Sequence, residues 1–381
     1  MHFPRLPSYV KIKRIFQTEY DCEAVKMTLP EGLPNQTLRI IDANLNRIGE
    51  SLRLLEDIAR LMLNDAILSR KLKTIRHDLE EVDFTFKTQL LQARQADSDV
   101  GADIKVEQQF EKRDLRSTII ANSRRIEQSL RVMEELAKIS EIEMDSDKFE
   151  KARFELYTIE KELISRLLRK DKAERIKGLY AIIDTDSLKG RSHLDTAKEI
   201  LEGGAKIIQL RDKTTPKKDL LSIAAGLKQL CSQYNALFIV NDYIDIAIAS
   251  DADGVHIGHD DIPLPAARKL MPIDKIIGCS VYTPQEATIV QEQGADYIAT
   301  SAIYPTVSKA GVNVIGLEGL RRIKDAITIP LVGLGGINYD NISEVISYGA
   351  DSVAVISAIL GACSPKEATE KLIKKTGLAN E

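Results

Sequence analysis

The sequence predicts a two-part α/β chain, an all-α helical-bundle domain followed by a (β/α)8 TIM barrel. Three observations predict it. Near residue 175 the chain changes from Gly-poor, charge-dense stretches to short β-branched runs separated by amphipathic ones. Eight such runs fall within residues 176–381. Residues 37–170 contain an internal repeat of helical character. The 381 residues are 44% hydrophobic and 29% charged, with a formal net charge of −4. That composition fits two or three soluble domains and shows no global basic surface for nucleic acid. No apolar run reaches the ~18 residues of a membrane helix. Cys22, Cys231, Cys279 and Cys363 are far apart, so a disulfide scaffold is not expected and a cytoplasmic setting is.

In chain order, residues 1–34 carry Pro4, Pro7, Pro30 and Pro34 without sustained period and read as a poorly ordered tail, with Met27 as an alternative start. Residues 35–172 form the duplicated helical domain. The pattern A-N-x-x-R-I-x-x-S-L-R-x-x-E occurs from Ala43 to Glu56 and again from Ala121 to Glu134. Each copy leads to a second helical stretch, containing Arg76-His77-Asp78-Leu79 and Arg153-Phe154-Glu155-Leu156. Two helical hairpins predict about four long helices. At 100° per residue, Ile48, Leu52, Leu54, Leu55, Ile58, Ala59 and Leu61 form one apolar arc, opposite Glu50, Arg53, Glu56, Asp57 and Arg60. Asn44, Arg47 and Ser51 fall on or inside that arc, and the second copy repeats them as Asn122, Arg125 and Ser129. Polar groups facing a core need partners. The pattern therefore predicts either an internal polar network or a pocket, with Asn44, Arg47, Asn122 and Arg125 as pocket candidates. The charged run from Arg169 to Arg175 reads as a helix end or linker.

Residues 176–381 form the barrel. Strands are predicted at 179–184, 205–211, 237–241, 254–257, 275–281, 297–301, 330–334 and 352–356, with helices such as 217–234, 284–292 and 342–348 between them. A doubly wound sheet binding a dinucleotide would carry G-x-G-x-x-G after its first strand. Here that turn reads Asp184-Thr185-Asp186-Ser187-Leu188-Lys189-Gly190.

Barrel chemistry collects at the strand C-termini. The second strand ends Gln209-Leu210-Arg211-Asp212-Lys213, the third Asn241-Asp242, and the fifth Gly278-Cys279-Ser280. The fourth runs into Gly258-His259-Asp260-Asp261, and the sixth into Tyr304-Pro305-Thr306-Val307-Ser308-Lys309. The seventh ends Gly333-Leu334-Gly335-Gly336 and the eighth Ile356-Ser357. Arg211, Lys213 and Lys309 are three cations at one mouth. Asp242 and Asp261, in adjacent loops, suit a shared hard cation such as Mg2+, which binds through one or two carboxylates plus phosphate oxygens. Gly335-Gly336 with Ile356-Ser357 matches the barrel phosphate site after the last two strands. Together these features predict two phosphorylated ligands, one a metal-bound diphosphate. Each piece alone has a plainer meaning: Asn-Asp as a helix cap, Gly-Leu-Gly-Gly as a tight turn, Arg211 and Lys213 as surface charges. Their combination in strand order carries the prediction.

Over residues 177–376 these motifs resemble the thiamine-phosphate synthase family: Q-L-R-x-K, N-D, G-V-H-I-G-x-x-D, G-x-S, P-T-x-[TS]-K, G-G-I and I-S. That resemblance implies a Mg2+-dependent transferase of thiamine biosynthesis, which joins hydroxymethylpyrimidine diphosphate to thiazole phosphate. It implies a dissociative route with no side-chain nucleophile. Gln209, Leu210, Arg211, Asp212, Lys213, Asn241, Ser280 and Lys309 would meet the pyrimidine diphosphate, with Arg211, Lys213, Ser280 and Lys309 catalytic. Asp242 and Asp261 would be the metal ligands. Thr306, Val307, Ser308, Gly336, Ile356 and Ser357 would meet the thiazole phosphate. Ser308 stands where Thr is common and His259 where Gln is common. A related tautomerase uses a histidine where this chain has Ala302, which sets that alternative behind. A non-catalytic phosphate-ligand binder is the rival of another class.

The helical half resembles a hydroxymethylpyrimidine-phosphate kinase family found fused ahead of such synthases, which implies ATP as a further ligand. No G-x-x-x-x-G-K-[ST] loop is present, and a scaffolding or homo-oligomerising helical domain is the alternative. The partners expected are small molecules, with neither nucleic acid nor membrane.

Overall fold

The computed structural model describes residues 33–81, 84–95, 114–140, 142, 144–306 and 313–377. Nearly all of the expected tail, with Met27, lies outside the described residues. The chain divides into two compact units, Met1–Glu160 and Lys161–Glu381. No helix among the described residues is long and apolar enough to cross a membrane.

The first unit is helical. It contains α1 (Asn35–Asp57), a π-helical turn (Ile58–Met62), α2 (Ala66–Glu80), α3 (Phe84–Ala93), α4 (Leu115–Leu136) and the start of α5 (Ser146–Glu174). Aspartates begin two of these helices: Asp65 accepts from the N–H groups of Ile67 and Leu68, and Asp114 from that of Ser117. The repeat is visible in the packing, since α1 lies against α4. It also recurs as a partly buried ion pair. Arg76 reaches Glu56 at 3.1 Å, and at the equivalent positions Arg153 reaches Glu134 at 2.5 Å.

Several helical expectations need correction. α3 is an extra helix, buried through Phe86, Leu90 and Ala93. Leu54 and Leu61 of the expected apolar arc are exposed, at 39% and 70%. Leu61 lies in the π-helical turn, where the 100° phase no longer applies. Glu56, assigned to the polar face, is largely covered and pairs with Arg76. Of the two readings of the Arg169–Arg175 run the helix end holds, because α5 continues to Glu174. Arg169 is buried and reaches Asp296 at 2.7 Å.

The second unit is a closed parallel barrel of eight strands in sequence order. They are β1 (Gly178–Asp184), β2 (Ile207–Arg211), β3 (Leu237–Asn241), β4 (Gly254–Ile257), β5 (Ile276–Val281), β6 (Tyr297–Ala302), β7 (Leu331–Leu334) and β8 (Ser352–Val355). β8 pairs back onto β1. All eight predicted strands are present. Successive side chains alternate between two layers. Leu179, Ala181, Ile208, Leu210, Phe238 and Val255 pack outward in the core beneath the helices. Tyr180, Ile182, Ile207, Ile239, Tyr297 and Val332 fill the barrel interior. Tyr297 fits because residue 278 is glycine: a Cβ there would lie 2.0 Å from its ring.

The repeated ion pair gives a test in the helical unit. Glu134 is 2% exposed. Burial pushes its carboxyl up, and the hydrogen bonds and charges of Arg153 and Arg131 outweigh this, holding it below the ordinary value. Its contribution is therefore present above the unfolded carboxyl pKa of about 4.3 and is lost as pH falls through the lower folded value. Arg153→Met leaves a buried carboxylate short of its main partner and should cost about 3 kcal/mol at neutral pH. Acid should destabilise this variant less than the parent chain. Denaturant unfolding by circular dichroism at several pH values checks both, and an unchanged midpoint at neutral pH would rule the account out.

Candidate active site

The C-terminal ends of the strands surround a cavity of about 310 Å³. Its lining includes Gln209, Arg211, Lys213, Asn241, Asp242, Asp261, Ser280, Thr306, Gly336, Ile356 and Ser357. Strand alternation explains the β2 contribution: Gln209 and Arg211 face inward, while Leu210 points to the helix layer. Leu210 is therefore not brought into the cavity. Nor is Asp212, which is committed to the turn after β2. Its carboxylate accepts from Thr214 N–H at 2.9 Å, Thr215 N–H at 2.8 Å and the Thr185 hydroxyl at 2.7 Å. Burial pushes that carboxyl up, yet these hydrogen bonds hold it at about 2. Val307, Ser308 and Lys309 lie outside the described residues.

The cavity's cations are anchored by carboxylates. Arg211 donates to Asp184, its register partner on β1. Lys213 Nζ lies 2.5 Å from Asp242 Oδ2. Burial, hydrogen bonding to Asp261 and the charge of Asp261 raise the Asp242 carboxyl, and Lys213 opposes them. Hydrogen bonding to Asp242 and the charges of Asp242 and Asp261 in turn raise the Lys213 ammonium. Asp242 sits at φ 62°, a conformation costly for a residue with a Cβ. Its N–H donates to the His256 carbonyl at 2.8 Å, which helps hold it there. Asp261 is fixed by the Gly258 N–H, 2.7 Å from its Oδ2. Two neighbouring carboxylates, one of them half-buried and raised, suit a hard divalent cation.

The neutral side of the cavity is equally fixed. Gln209 Nε2 donates to Asn241 Oδ1 at 2.6 Å. Ser280 Oγ lies 3.0 Å from His256 Nε2, and His256 Nδ1 lies 3.2 Å from the Tyr297 hydroxyl. The Tyr297 and Tyr180 hydroxyls are 3.0 Å apart. Burial raises both phenols, so they stay neutral. This chain of contacts leads from the barrel core to the serine and fixes its position. Gly335 and Gly336 form the opposite turn, both with positive φ. A Cβ at Gly335 would lie 2.5 Å from Ala302 Cα, and one at Gly336 2.6 Å from the Pro305 carbonyl.

His256 and Asp184 were missed by sequence reasoning. Each was detectable by extending the inward parity of its strand, Gly254 to His256 and Tyr180 through Ile182 to Asp184. The pocket candidates of the helical half fare differently. Asn44 and Asn122 donate back to the carbonyls of Ile40 and Thr118, four residues earlier, at 2.8 and 2.9 Å. Arg47 and Arg125 are exposed. None of the four lines the helical unit's cavity of about 500 Å³, which lies against Gly49, Arg53, Arg76, Lys87 and Arg94.

Residues 179–359 match a family model described as thiamine monophosphate synthase, and residues 39–162 match the ThiD2 family. A thiamine-phosphate synthase of Synechocystis sp. is 35% identical over 354 residues, spanning 92% of this chain and 100% of the relative. One from Methanospirillum hungatei is 49% identical over 189 residues, spanning 49% of this chain and 91% of the relative. The solved thiamine phosphate pyrophosphorylase from Pyrococcus furiosus matches at TM-score 0.50 and 42% identity, covering 54% of this chain and 97% of that one.

The cation cluster predicts anion binding whatever the reaction. Inorganic pyrophosphate should bind the full chain in calorimetric titration. Arg211→Ala should weaken it by about tenfold to a hundredfold, the size of a lost charge-assisted hydrogen bond. Equal affinity in parent and variant would remove Arg211 from the anion site.

Proposed function

The chain belongs to the thiamine-phosphate synthase family, and from that premise we propose how its cavity carries out the transfer. The barrel condenses hydroxymethylpyrimidine diphosphate with thiazole phosphate. The bond from the pyrimidine methylene carbon to the diphosphate oxygen breaks, and its electron pair leaves with the diphosphate. The electron-rich aminopyrimidine stabilises the methylene cation. The thiazole nitrogen lone pair then forms the new C–N bond, giving thiamine phosphate.

The carrying observation is that one cavity joins the cluster of Arg211, Lys213, Asp242 and Asp261 to the glycine turn at Gly335 and Gly336. Arg211 and Lys213 hold the diphosphate and stabilise the charge that develops on it as it departs. Family resemblance adds Lys309 to them. Gln209, Asn241 and Ser280 orient the pyrimidine, with Ser280 positioned through His256. Thr306, Gly336, Ile356 and Ser357, joined through the resemblance by Val307 and Ser308, take the thiazole phosphate. Asp242 and Asp261 would hold Mg2+, which supplies Lewis-acid neutralisation of the diphosphate when bound. No side chain is required as nucleophile or strong base. We further propose that the helical half phosphorylates hydroxymethylpyrimidine monophosphate with ATP, making the diphosphate that the barrel consumes.

Two assays test these readings separately. Given the diphosphate, thiazole phosphate and Mg2+, the chain should form thiamine phosphate. Asp242→Ala and Asp261→Ala should each lower kcat at least about 100-fold, and near-parental turnover in both would sink the metal assignment. Given the monophosphate and ATP instead, the full chain should still form product. Product from the diphosphate alone would leave the barrel reading standing and return the helical half to a structural role.

A further inference from the structure

The helical unit is a duplication, yet its two copies treat one position differently. Gly49 on α1 corresponds to Glu127 on α4. In the first copy a Cβ at residue 49 would lie 2.8 Å from Glu80 Oε1, so the glycine keeps space open between α1 and α2. That space is part of the cavity of about 500 Å³. In the second copy the Glu127 carboxyl is raised by burial and by Glu160, and lowered by Arg124 and Arg153.

The arginine one turn on diverges in the same sense. In the second copy Arg131 is neutralised by Glu134 and Glu135, each at 2.7 Å. Those two acids also meet Arg153 and Lys138, whereas in the first copy their equivalents meet only the matching partners among the described residues, Glu56 with Arg76 at 3.1 Å and Asp57 with Arg60 at 2.8 Å. Arg53 is left on the cavity wall without an ion pair among the described residues. Lys87 on α3 is likewise unpaired among them. Arg94 is occupied by Asp42 at 2.6 Å. The cavity thus offers two uncommitted cations, the carboxylate of Glu50, that of Glu80 with one oxygen 3.3 Å from Arg76, and apolar walls that include Leu45 and Leu90.

We propose that the first copy alone carries the helical unit's ligand site, and that it takes a phosphomonoester of a small aminated heterocycle. Arg53 and Lys87 hold the phosphate, Glu50 and Glu80 accept from ring amino N–H groups, and the leucines cover the ring faces. In the second copy Glu127 and the paired Arg131 have closed the equivalent site. The identity of the ligand, though not the asymmetry, rests on the kinase reading above.

The test is calorimetric titration of the full-length protein with hydroxymethylpyrimidine monophosphate, without ATP. Gly49→Glu copies what the second copy already carries, and its contact is with the mobile end of a side chain, so the fold tolerates it. Arg53→Ala removes an exposed cation. Each should weaken binding by at least about tenfold, as loss of a charge-assisted contact does. Arg131→Ala, its counterpart, should leave affinity unchanged, and all three should keep parental turnover from the pyrimidine diphosphate. Parental affinity in Gly49→Glu and Arg53→Ala, an equal loss in Arg131→Ala, or no binding by the parent chain would overturn the proposal. ATP-dependent phosphorylation is measured in parallel. Binding that follows the expected pattern without phosphorylation defeats the kinase reading alone. Phosphorylation that survives both substitutions defeats the site alone.

Discussion

Closure of eight parallel strands is the constraint on which the barrel's chemistry depends. Once β8 pairs with β1, every inward side chain competes for one interior of fixed width. That interior accommodates Tyr297 only against the bare backbone of Gly278. Tyr180 and His256 then meet the Tyr297 ring and hydroxyl, and the group fills the centre of the barrel. Towards the C-terminal end of the same inward rows, Gln209, Asn241 and Ser280 are polar. The cavity's floor and its chemistry therefore come from one alternation, apolar below and polar above.

The charges above that floor are organised by the protein's own carboxylates. Arg211 is tied to Asp184 and Lys213 to Asp242. An anion with several oxygens can take over contacts from these carboxylates without the cations first having to be gathered, which lowers the reorganisation cost during reaction. The arrangement stores an opposing cost at Asp242. Its backbone is left-handed, and its half-buried carboxyl faces a second one. A divalent cation between the two carboxylates would relieve the electrostatic part of that cost. This makes the least comfortable residue of the cavity a sensible place for a metal ligand.

Much of the barrel was legible because period two is a strong signal and each strand is short. The strand ends named most of the cavity residues directly. Leu210 and Asp212 share the motif but not the cavity, because alternation turns Leu210 outward and the turn after β2 consumes both oxygens of Asp212. The helical half was less legible for a different reason. A single 100° phase does not survive the π-helical turn, and Arg47 and Arg125, on or inside the arc that phase predicts, are exposed. The asparagines needed no pocket because the preceding helical turn supplied their acceptors. What pattern reading lacked there was the identity of each polar group's partner, and that depends on packing between helices.

Duplication explains why those partners matter. Two copies begin with the same donors and acceptors, so differences between them record separate constraints. The Arg–Glu pair is retained in both copies, Arg76 with Glu56 and Arg153 with Glu134, as expected of a contact that joins two helices across a covered face. Around it the copies part. Arg60 takes the first copy's Asp57 and Lys138 the second copy's Glu135, but Glu135, one methylene longer, also meets Arg131. One substitution of that kind changes the charge available on a neighbouring wall without touching the structural pair. Glycine against glutamate at the adjoining position then decides whether that wall borders open space. A duplicated bundle can in this way keep one scaffold while its two faces acquire different chemistry.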